Sequence, residues 1–179
     1  MDVEIMGRTA VIKYSSKPHD ERSIVISISD IHNEAPRLIR ARANGIIEQL
    51  KINFDDIENE SPRRMTDEQA NIIANFVRKF QNKVDRIVVN CEAGISRSAG
   101  IAAAIIEYLG GNNWDVFNSR EYCPNITCYR RMLIALHMTL DEPEIFEKIK
   151  VNRKIWDKRW LCPGCGAVLC PDVISCCYI

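Results

Sequence analysis

The sequence has no excess of charge of either sign. It contains 24 Lys and Arg residues and 24 Asp and Glu residues, so its formal net charge at pH 7 is zero. Proteins that bind nucleic acid or anionic membranes through electrostatics usually carry a basic excess. The balance therefore argues against a nucleic-acid partner.

Long apolar runs and targeting features are also missing. A membrane-spanning helix needs about 20 consecutive apolar residues, and no stretch of the sequence approaches that length. The N-terminus lacks the basic start and apolar core of a secretory signal peptide. We therefore expect no membrane span and a cytoplasmic location, where cysteine thiols stay reduced.

One short segment stands out for its chemistry. It reads Cys91-Glu92-Ala93-Gly94-Ile95-Ser96-Arg97-Ser98, between an apolar run and a helix-forming run. Backbone N–H groups at a helix N-terminus are unpaired and attract anions. Gly94 suits a backbone that passes close to an anion, and the Arg97 guanidinium can grip two phosphate oxygens. The segment therefore predicts a phosphate-binding loop.

Cys91 is the candidate nucleophile of this loop. A helix N-terminus and the nearby Arg97 both favour the reactive thiolate form of a cysteine. Cys91 could then attack phosphorus and form a phosphocysteine, and the Ser98 hydroxyl could hydrogen-bond the departing thiolate. The alternative is that Cys91 is a small buried hydrophobe. The Gly, the Ser after the Arg, the predicted strand before and the predicted helix after favour the catalytic interpretation.

The segment from Val88 to Ser98 resembles the signature loop of the cysteine-dependent protein tyrosine phosphatases, and it is most similar to their small dual-specificity branch. The resemblance runs from about Ser23 to Thr139. It implies an α/β fold of the Cys-x5-Arg phosphatase type, with a central, mostly parallel sheet flanked by helices. It also implies that no cofactor is required and that the substrate phosphate binds to residues Glu92, Ala93, Gly94, Ile95, Ser96 and Arg97. One position departs from the family pattern, because Asn90 stands where the family has a His that helps to ionise the cysteine.

The resemblance further implies a general acid on a loop upstream of the cysteine. Protonation of the leaving oxygen speeds cleavage of a phosphate monoester. Asp55 and Asp56 follow an apolar stretch at a suitable distance, and Asp56 matches the form of this loop in similar sequences better. The alternatives are that Asp55 is the acid, or that both are solvated turn residues.

Glu92 bears on the substrate. Members of the superfamily that act on inositol phospholipids tend to carry Lys inside the loop, whereas this loop has Glu92 and no Lys. A carboxylate would repel a highly anionic headgroup. This favours a phosphorylated protein or a small phosphomonoester as substrate, unless Glu92 points into solvent.

Strand and helix patterns alternate along the chain. We expect strands at Thr9–Tyr14, Ser23–Ser29, Ile46–Phe54 and Arg86–Asn90. A Thr66–Gln69 capping box starts a helix with one apolar face. A second helix follows Cys91 and ends at Gly110-Gly111, and a last amphipathic one covers Thr127–Leu140. Alternating strands and helices predict an α/β sheet with helices on both faces.

Composition changes after Leu140. We therefore divide the chain into a phosphatase-like catalytic domain over residues 1–140 and a segment over 141–179 that joins a charged, helix-compatible stretch to a Cys-rich tail. Cys162 and Cys165 have the spacing of a zinc knuckle, with Cys170 and Cys176 (or Cys177) as an irregular second pair for a structural zinc. The alternatives are a disordered tail, a redox switch and a packing segment with unpaired thiols.

Three functions fit these patterns. The first is a phosphatase that hydrolyses phosphotyrosine, with phosphoserine and phosphothreonine as further candidates, through a phosphocysteine intermediate. The second is a catalytically silent module of the same fold that binds phosphorylated partners, which the Asn90 departure keeps open. The third is a sulfur-transfer enzyme, against which the upstream Asp residues and Ser98 argue.

Overall fold

The described part of the chain folds into a parallel sheet with helices on both faces. The computed structural model describes residues 1–39 and 41–159. The strands are β1 (Asp2–Gly7), β2 (Ser23–Ser29), β3 (Ile46–Asn53) and β4 (Arg86–Cys91). The helices are α1 (Arg8–Ser15), α2 (Asp67–Phe80), α3 (Arg97–Tyr108), α4 (Trp114–Phe117), α5 (Ile126–Ala135) and α6 (Glu142–Arg159), with a 3-10 turn at Ala41–Asn44.

The strand order places the carboxyl end of β4 in the middle of the sheet. The order is β1-β4-β2-β3, and all neighbouring pairs are parallel. Gly7 at the end of β1 pairs with Cys91 at the end of β4, and Ser27 of β2 pairs with Asn90. In open parallel sheets, ligands bind outside the carboxyl ends of the strands. The predicted α/β class with a mostly parallel sheet is confirmed, and Cys91 lies at the edge where ligands bind.

Two apolar clusters lie on opposite faces of the sheet. Successive side chains of a strand point to opposite faces, and accordingly Ile24, Ile26 and Ile28 of β2 lie in the larger cluster while Val25 lies in the smaller one. Helices α2, α3 and α5 supply the larger cluster, and α1 supplies the smaller one. Helix α3 is buried over its whole first part because its residues are mostly Ala, Gly and Ile.

The strand predicted at Thr9–Tyr14 is wrong. These residues form helix α1, and the edge strand is β1, before them. Thr, Val and Ile favour strands by propensity, but Val11 and Tyr14 lie three residues apart and therefore share a helix face, which is buried against the sheet. Tertiary packing overrides the local preference here, as it often does.

The other predicted elements are close to those observed. Thr66 and Gln69 form the capping box at the start of α2, with both reciprocal hydrogen bonds present. Helix α3 ends at Tyr108, and Gly110 follows it with φ +77°, in the left-handed region typical of a helix cap. The last predicted amphipathic helix is shorter than expected, because α5 ends at Ala135.

Helix α6 is part of the packed structure. The side chains of Ile145, Lys148, Asn152 and Trp156 are buried and recur at helical spacing, so one face of the helix is covered. The charged stretch after Leu140 therefore packs on the residues before it. Within residues 1–39 and 41–159, no helix combines the length and the apolar character that a membrane crossing requires.

A buried polar cluster joins α3, α5 and α6. Lys148 Nζ lies 2.8 Å from Glu144 Oε1, 3.1 Å from Tyr129 Oη and 3.4 Å from Glu107 Oε2, and Tyr129 Oη donates a short hydrogen bond to Glu107. Burial and the bond to Glu107 raise the pKa of Tyr129 to about 12. Burial alone would lower the pKa of Lys148, but the hydrogen bonds to Glu144 and Tyr129 outweigh it and raise the pKa. The buried charge of Lys148 is thus matched by the carboxylates of Glu144 and Glu107.

Candidate active site

Cys91 and Arg97 lie at the two ends of the predicted phosphate loop. Cys91 is the last residue of β4 and is 2 % exposed, and Arg97 is the first residue of α3 and is 4 % exposed. The Cys91 sulfur accepts a hydrogen bond from the Gly94 N–H at 3.3 Å and lies 3.1 Å from Ser98 Oγ. The sulfur therefore has polar neighbours from the loop and from the first turn of α3.

The loop residues between them differ in exposure. Ala93 is exposed, whereas Glu92, Ile95 and Ser96 are half-buried. The carbonyl oxygens of Ile95 and Ser96 accept hydrogen bonds from Cys123 N and Asn125 N, at 3.0 and 3.1 Å. The loop is therefore supported by the segment that leads into α5.

Arg97 is held by one of its nitrogens. Arg97 Nη1 donates to the Phe54 carbonyl oxygen at 2.7 Å and lies 2.7 Å from Asp30 Oδ1. Its Nε is buried and has no hydrogen-bond partner among the described residues. A buried N–H without an acceptor costs about 1–3 kcal/mol, so this nitrogen is a strong donor for an anion that enters the loop.

Asp30 is a residue that the sequence analysis missed. It directly follows β2, at the same edge of the sheet as Cys91, and its side chain is 41 % exposed. The available signal was the position of an acidic residue at the carboxyl end of a predicted strand. The pairing of Asp30 with Arg97 depends on the order of the strands, which the local sequence does not reveal.

The structure separates the two candidate acids. Asp55 is 8 % exposed, accepts a hydrogen bond from Ile31 N at 3.0 Å and forms a close ion pair with Arg63. Asp56 is exposed, and its Oδ1 accepts from Ser96 Oγ at 2.8 Å, inside the phosphate loop. Asp56 therefore contacts the loop that begins at Cys91, whereas Asp55 fastens residues 54–66, here named the acid loop, to the end of β2.

Asn125 is the second residue that the sequence analysis missed. It is 1 % exposed and caps α5, since its Oδ1 accepts from Cys128 N at 2.9 Å. Its Nδ2 donates to Asp56 Oδ1 at 2.8 Å. Asp56 Oδ1 thus accepts two hydrogen bonds, one of them from Ser96. The signal for Asn125 was an Asn before an apolar helical run, which is typical of a helix cap.

Gly100 permits the close contact between α3 and Asn125. A Cβ at position 100 would lie 2.3 Å from the Asn125 carbonyl oxygen, a distance that side chains do not adopt. Any larger residue there would push the α5 cap, and with it the hydrogen bond to Asp56, away from the phosphate loop.

Asn90 lies on the opposite face of β4 from Cys91. Its Oδ1 accepts from Ser27 Oγ at 2.7 Å, and Ser27 Oγ accepts in turn from Gln49 Nε2 at 2.8 Å. Asn90 Nδ2 is buried without a partner among the described residues. The side chain therefore connects β4 to β2 behind the phosphate loop.

Glu92 has a cation beside it. Glu92 Oε1 lies 3.0 Å from Arg8 Nη1, and the Glu92 carbonyl oxygen accepts from Arg8 N at 3.0 Å. The pairing with Arg8, at the start of α1, offsets the negative charge that the sequence analysis assigned to this position. The repulsion expected from Glu92 is correspondingly reduced.

A second thiol lies behind the site. Cys128 in the first turn of α5 is buried, and this burial, together with the nearby negative charge of Asp56, raises the pKa of the Cys128 thiol well above its usual value. Cys128 is therefore a neutral packing group.

The predicted zinc ligands Cys162, Cys165, Cys170 and Cys176 lie outside the described residues. Among the described ones, no group of three or more His, Cys, Asp or Glu side chains could hold a metal ion. A cavity of about 470 Å³ lies beside the acid loop and is lined by Glu60, Ser61, Pro62, Arg64, Met65, Thr66 and Arg131, without residues of the phosphate loop.

Comparison with known proteins reveals similarity in structure. No protein-family model matches this sequence, and no curated protein matches it. A mouse candidate dual specificity phosphatase, solved with zinc tungstate, has a TM-score of 0.53 at 16 % identity, over 80 % of this chain and 86 % of that one. Human DUSP28 has a TM-score of 0.46 at 10 % identity, over 87 % of this chain and 94 % of that one.

A third similar structure is the human tyrosine phosphatase-like serine/threonine/tyrosine-interacting protein, with a TM-score of 0.43 at 20 % identity, over 63 % of this chain and 75 % of that one. The assignment of the fold rests on the mouse structure, whose TM-score exceeds 0.5. The described part of the chain therefore has a fold similar to that of this dual specificity phosphatase.

Proposed function

We propose that this protein is a protein phosphatase that hydrolyses phosphotyrosine through a phosphocysteine intermediate, with phosphoserine and phosphothreonine as further candidate substrates. The observation that carries the proposal is the 2.8 Å hydrogen bond from Ser96 of the phosphate loop to Asp56. It joins a candidate acid, from the loop after β3, to the loop that begins with the candidate nucleophile at the end of β4. An acid and a nucleophile at one anion-binding loop are what phosphate-ester cleavage requires.

In the first step, the Cys91 thiolate attacks phosphorus and an S–P bond forms. The bond between phosphorus and the ester oxygen breaks, its electron pair goes to the leaving oxygen, and Asp56 donates a proton to that oxygen. Arg97 holds the transferring phosphoryl group with its Nε and its second terminal nitrogen, because Nη1 is already bound to Phe54 and Asp30. Charge placed in advance around the transition state lowers the barrier.

In the second step, water attacks the phosphocysteine. Asp56, now ionised, takes a proton from the water as the S–P bond breaks, and inorganic phosphate leaves. The sulfur departs as a thiolate, which Ser98 Oγ, 3.1 Å away, stabilises by donating a hydrogen bond. The reaction restores both Cys91 and Asp56 to their starting forms.

The test is steady-state kinetics on p-nitrophenyl phosphate and on phosphotyrosine and phosphothreonine peptides. We expect vanadate-sensitive release of phosphate that Cys91→Ser abolishes and that Arg97→Lys strongly reduces, because Lys lacks the planar fork. Turnover that persists in Cys91→Ser would overturn the proposal.

A module that binds phosphorylated partners without turnover is the second candidate. Asn90 favours it. The family that the sequence resembles has a His at this position, which can carry positive charge next to the nucleophile, whereas Asn90 is a neutral amide bonded to Ser27. Tight binding of a phosphopeptide by the wild-type chain, without release of phosphate, would support this alternative. Thiosulfate:cyanide sulfur transfer without phosphate release would support the third function, a sulfur-transfer enzyme.

A further inference from the structure

The acid loop is attached to the start of α5 by Glu58. Glu58 Oε1 accepts a hydrogen bond from Ile126 N at 3.0 Å, and the Glu58 carbonyl oxygen accepts from Thr127 Oγ1 at 2.8 Å. The N–H groups of a first helical turn have no partner within the helix, and a carboxylate is favourable there. Glu58 lies two residues after Asp56 in the chain, so this attachment bears directly on the position of the proposed acid.

Arg153 of α6 binds the same carboxylate. Arg153 Nη2 lies 3.0 Å from Glu58 Oε1 and 2.8 Å from Oε2, and Arg153 Nη1 lies 3.1 Å from Cys123 Sγ. Cys123 N donates in turn to Ile95 O of the phosphate loop. One guanidinium therefore connects the acid loop to the segment that supports the phosphate loop.

The helix that carries Arg153 is itself fixed. The neighbouring Asn152 is buried, and its Nδ2 donates to the carbonyl oxygens of Phe117 and Tyr122, each at 2.9 Å. Trp156 Nε1 donates a further short hydrogen bond to Tyr122 O. The guanidinium is thus presented from an anchored turn of α6.

The ion pair between Arg153 and Glu58 contributes little to the stability of the fold. Its side chains are 43 % and 40 % exposed, and exposed pairs contribute about 0–1 kcal/mol to stability. Its position matters more, because a displacement of about 1 Å of a catalytic group can lower the rate about 100-fold. A contact that is weak for folding can therefore be important for proton transfer.

We propose that Arg153 is a positioning residue, which holds the acid loop through Glu58 so that Asp56 meets the leaving oxygen. This inference rests on the proposed phosphatase function. Through Arg153, helix α6 would control acid catalysis, although it contributes no residue to the phosphate loop. The contact with Glu58 acts on the delivery of a proton, so its consequence depends on how much the leaving group needs that proton.

The test compares phenyl phosphate with p-nitrophenyl phosphate, whose leaving group is the more acidic. The measured quantity is kcat/KM, which includes the step in which the leaving group departs. For Arg153→Ala we expect a loss of about tenfold on phenyl phosphate and of less than about threefold on p-nitrophenyl phosphate. Arg153→Lys should recover part of the loss, because it can still pair with Glu58.

Two further variants make the comparison specific. Lys150→Ala removes a 3.3 Å ion pair with Glu147, whose two partners both belong to α6, and should leave the activity on both substrates unaffected. In an Asp56→Asn background, Arg153→Ala should cause no further loss on phenyl phosphate, because the acid that it positions is gone.

Equal losses on the two substrates, no loss, or a further loss in the Asp56→Asn background would overturn the role of Arg153 while leaving the phosphatase proposal intact. If the wild-type chain releases no phosphate from either substrate, both proposals fail together. Thermal melts of each variant establish that the compared proteins are folded.

Discussion

The backbones of Gly94 and Gly7 are in direct contact. A Cβ at position 94 would lie 2.4 Å from Gly7 N, and Gly94 has φ +77°, which L side chains rarely adopt. A Cβ at position 7 would lie 2.9 Å from the Ala93 carbonyl oxygen. The junction between β1 and α1 thus supports the phosphate loop from behind, and both glycines are required for this approach.

The contact between Gly94 and Gly7 predicts that substitution of Gly94 lowers activity, whereas substitution of Gly110, which has the same φ, does not. Gly94→Ala should lower activity by more than about 100-fold, because the loop must move to relieve the clash with Gly7. Gly110→Ala is the matched control, since Gly110 also has φ +77° but a Cβ there would have no neighbour within 4 Å. It should cost about 1 kcal/mol of stability and leave kcat/KM unchanged. Comparable activity of the two variants would contradict the proposed support.

Asp56 and Asp55 should respond differently to the same substitution. Asp56→Asn removes the proposed proton donor and should lower kcat/KM on phenyl phosphate about 100-fold or more, with a smaller loss on p-nitrophenyl phosphate. Asp55→Asn loses the ion pair with Arg63 and should instead lower the free energy of unfolding by about 1–2 kcal/mol. Kinetics on both substrates, together with urea unfolding, separate the two effects. A leaving-group-dependent loss in Asp55→Asn alone would move the acid to that residue.

Ser98→Ala should slow the second step of the proposed reaction. The hydroxyl, 3.1 Å from the Cys91 sulfur, would no longer stabilise the departing thiolate. A hydrogen bond to a charged group contributes about 1.5–3 kcal/mol, so kcat should fall about tenfold or more. Rapid mixing should reveal a burst of phenolate release followed by slow turnover, as phosphocysteine accumulates. A matched fall in kcat/KM without a burst would place the role of Ser98 in the first step.

Tyr129 predicts a loss of stability at alkaline pH. Burial and the hydrogen bond to Glu107 raise its pKa to about 12, against about 10 for an unfolded chain. Between these values the folded state binds more protons than the unfolded state, so the free energy of unfolding falls as pH rises. The full contribution is present below about pH 10 and is lost as pH approaches about 12.

The measurement is urea unfolding between about pH 9 and pH 12 for the wild type and Tyr129→Phe. The wild type should lose roughly 2 kcal/mol more than the variant across this window. At neutral pH the variant should already be less stable, because Asn113 and Lys148 lose a partner at the hydroxyl. Parallel pH curves for the two proteins would contradict the shifted pKa.

Secondary-structure elements that depend on residues close together in the chain could be predicted from the sequence. Strands β2, β3 and β4 are rich in Ile, Val or Leu, and the capping box of α2 and the left-handed Gly110 involve residues within a few positions of each other. The strand expected at Thr9–Tyr14 failed because β-branched residues have a local strand preference, whereas burial of Val11 and Tyr14 on one side depends on the sheet. Local preference decides only where tertiary contacts do not oppose it.

The candidate site divides in the same way. Cys91 ends β4, Arg97 and Ser98 begin α3, and Gly94 lies in the turn between them, so their spacing alone indicated an anion-binding loop. Asp30 and Asn125 were missed, because their contacts with Arg97 and Asp56 join distant parts of the chain. The choice between Asp55 and Asp56 likewise depends on which carboxylate points toward Ser96, a direction that adjacent residues do not reveal.

The amino-acid sequence by itself determined the α/β class and the eight-residue segment with its thiol, glycine and guanidinium, because both follow from periodicity and short spacing. The tertiary structure decided the rest: the order of the strands, the partner of Arg97, the attachment of the acid loop to α5 and α6, and the contact between Gly7 and Gly94. These contacts join residues that only the packing of the sheet and its helices brings within hydrogen-bonding distance.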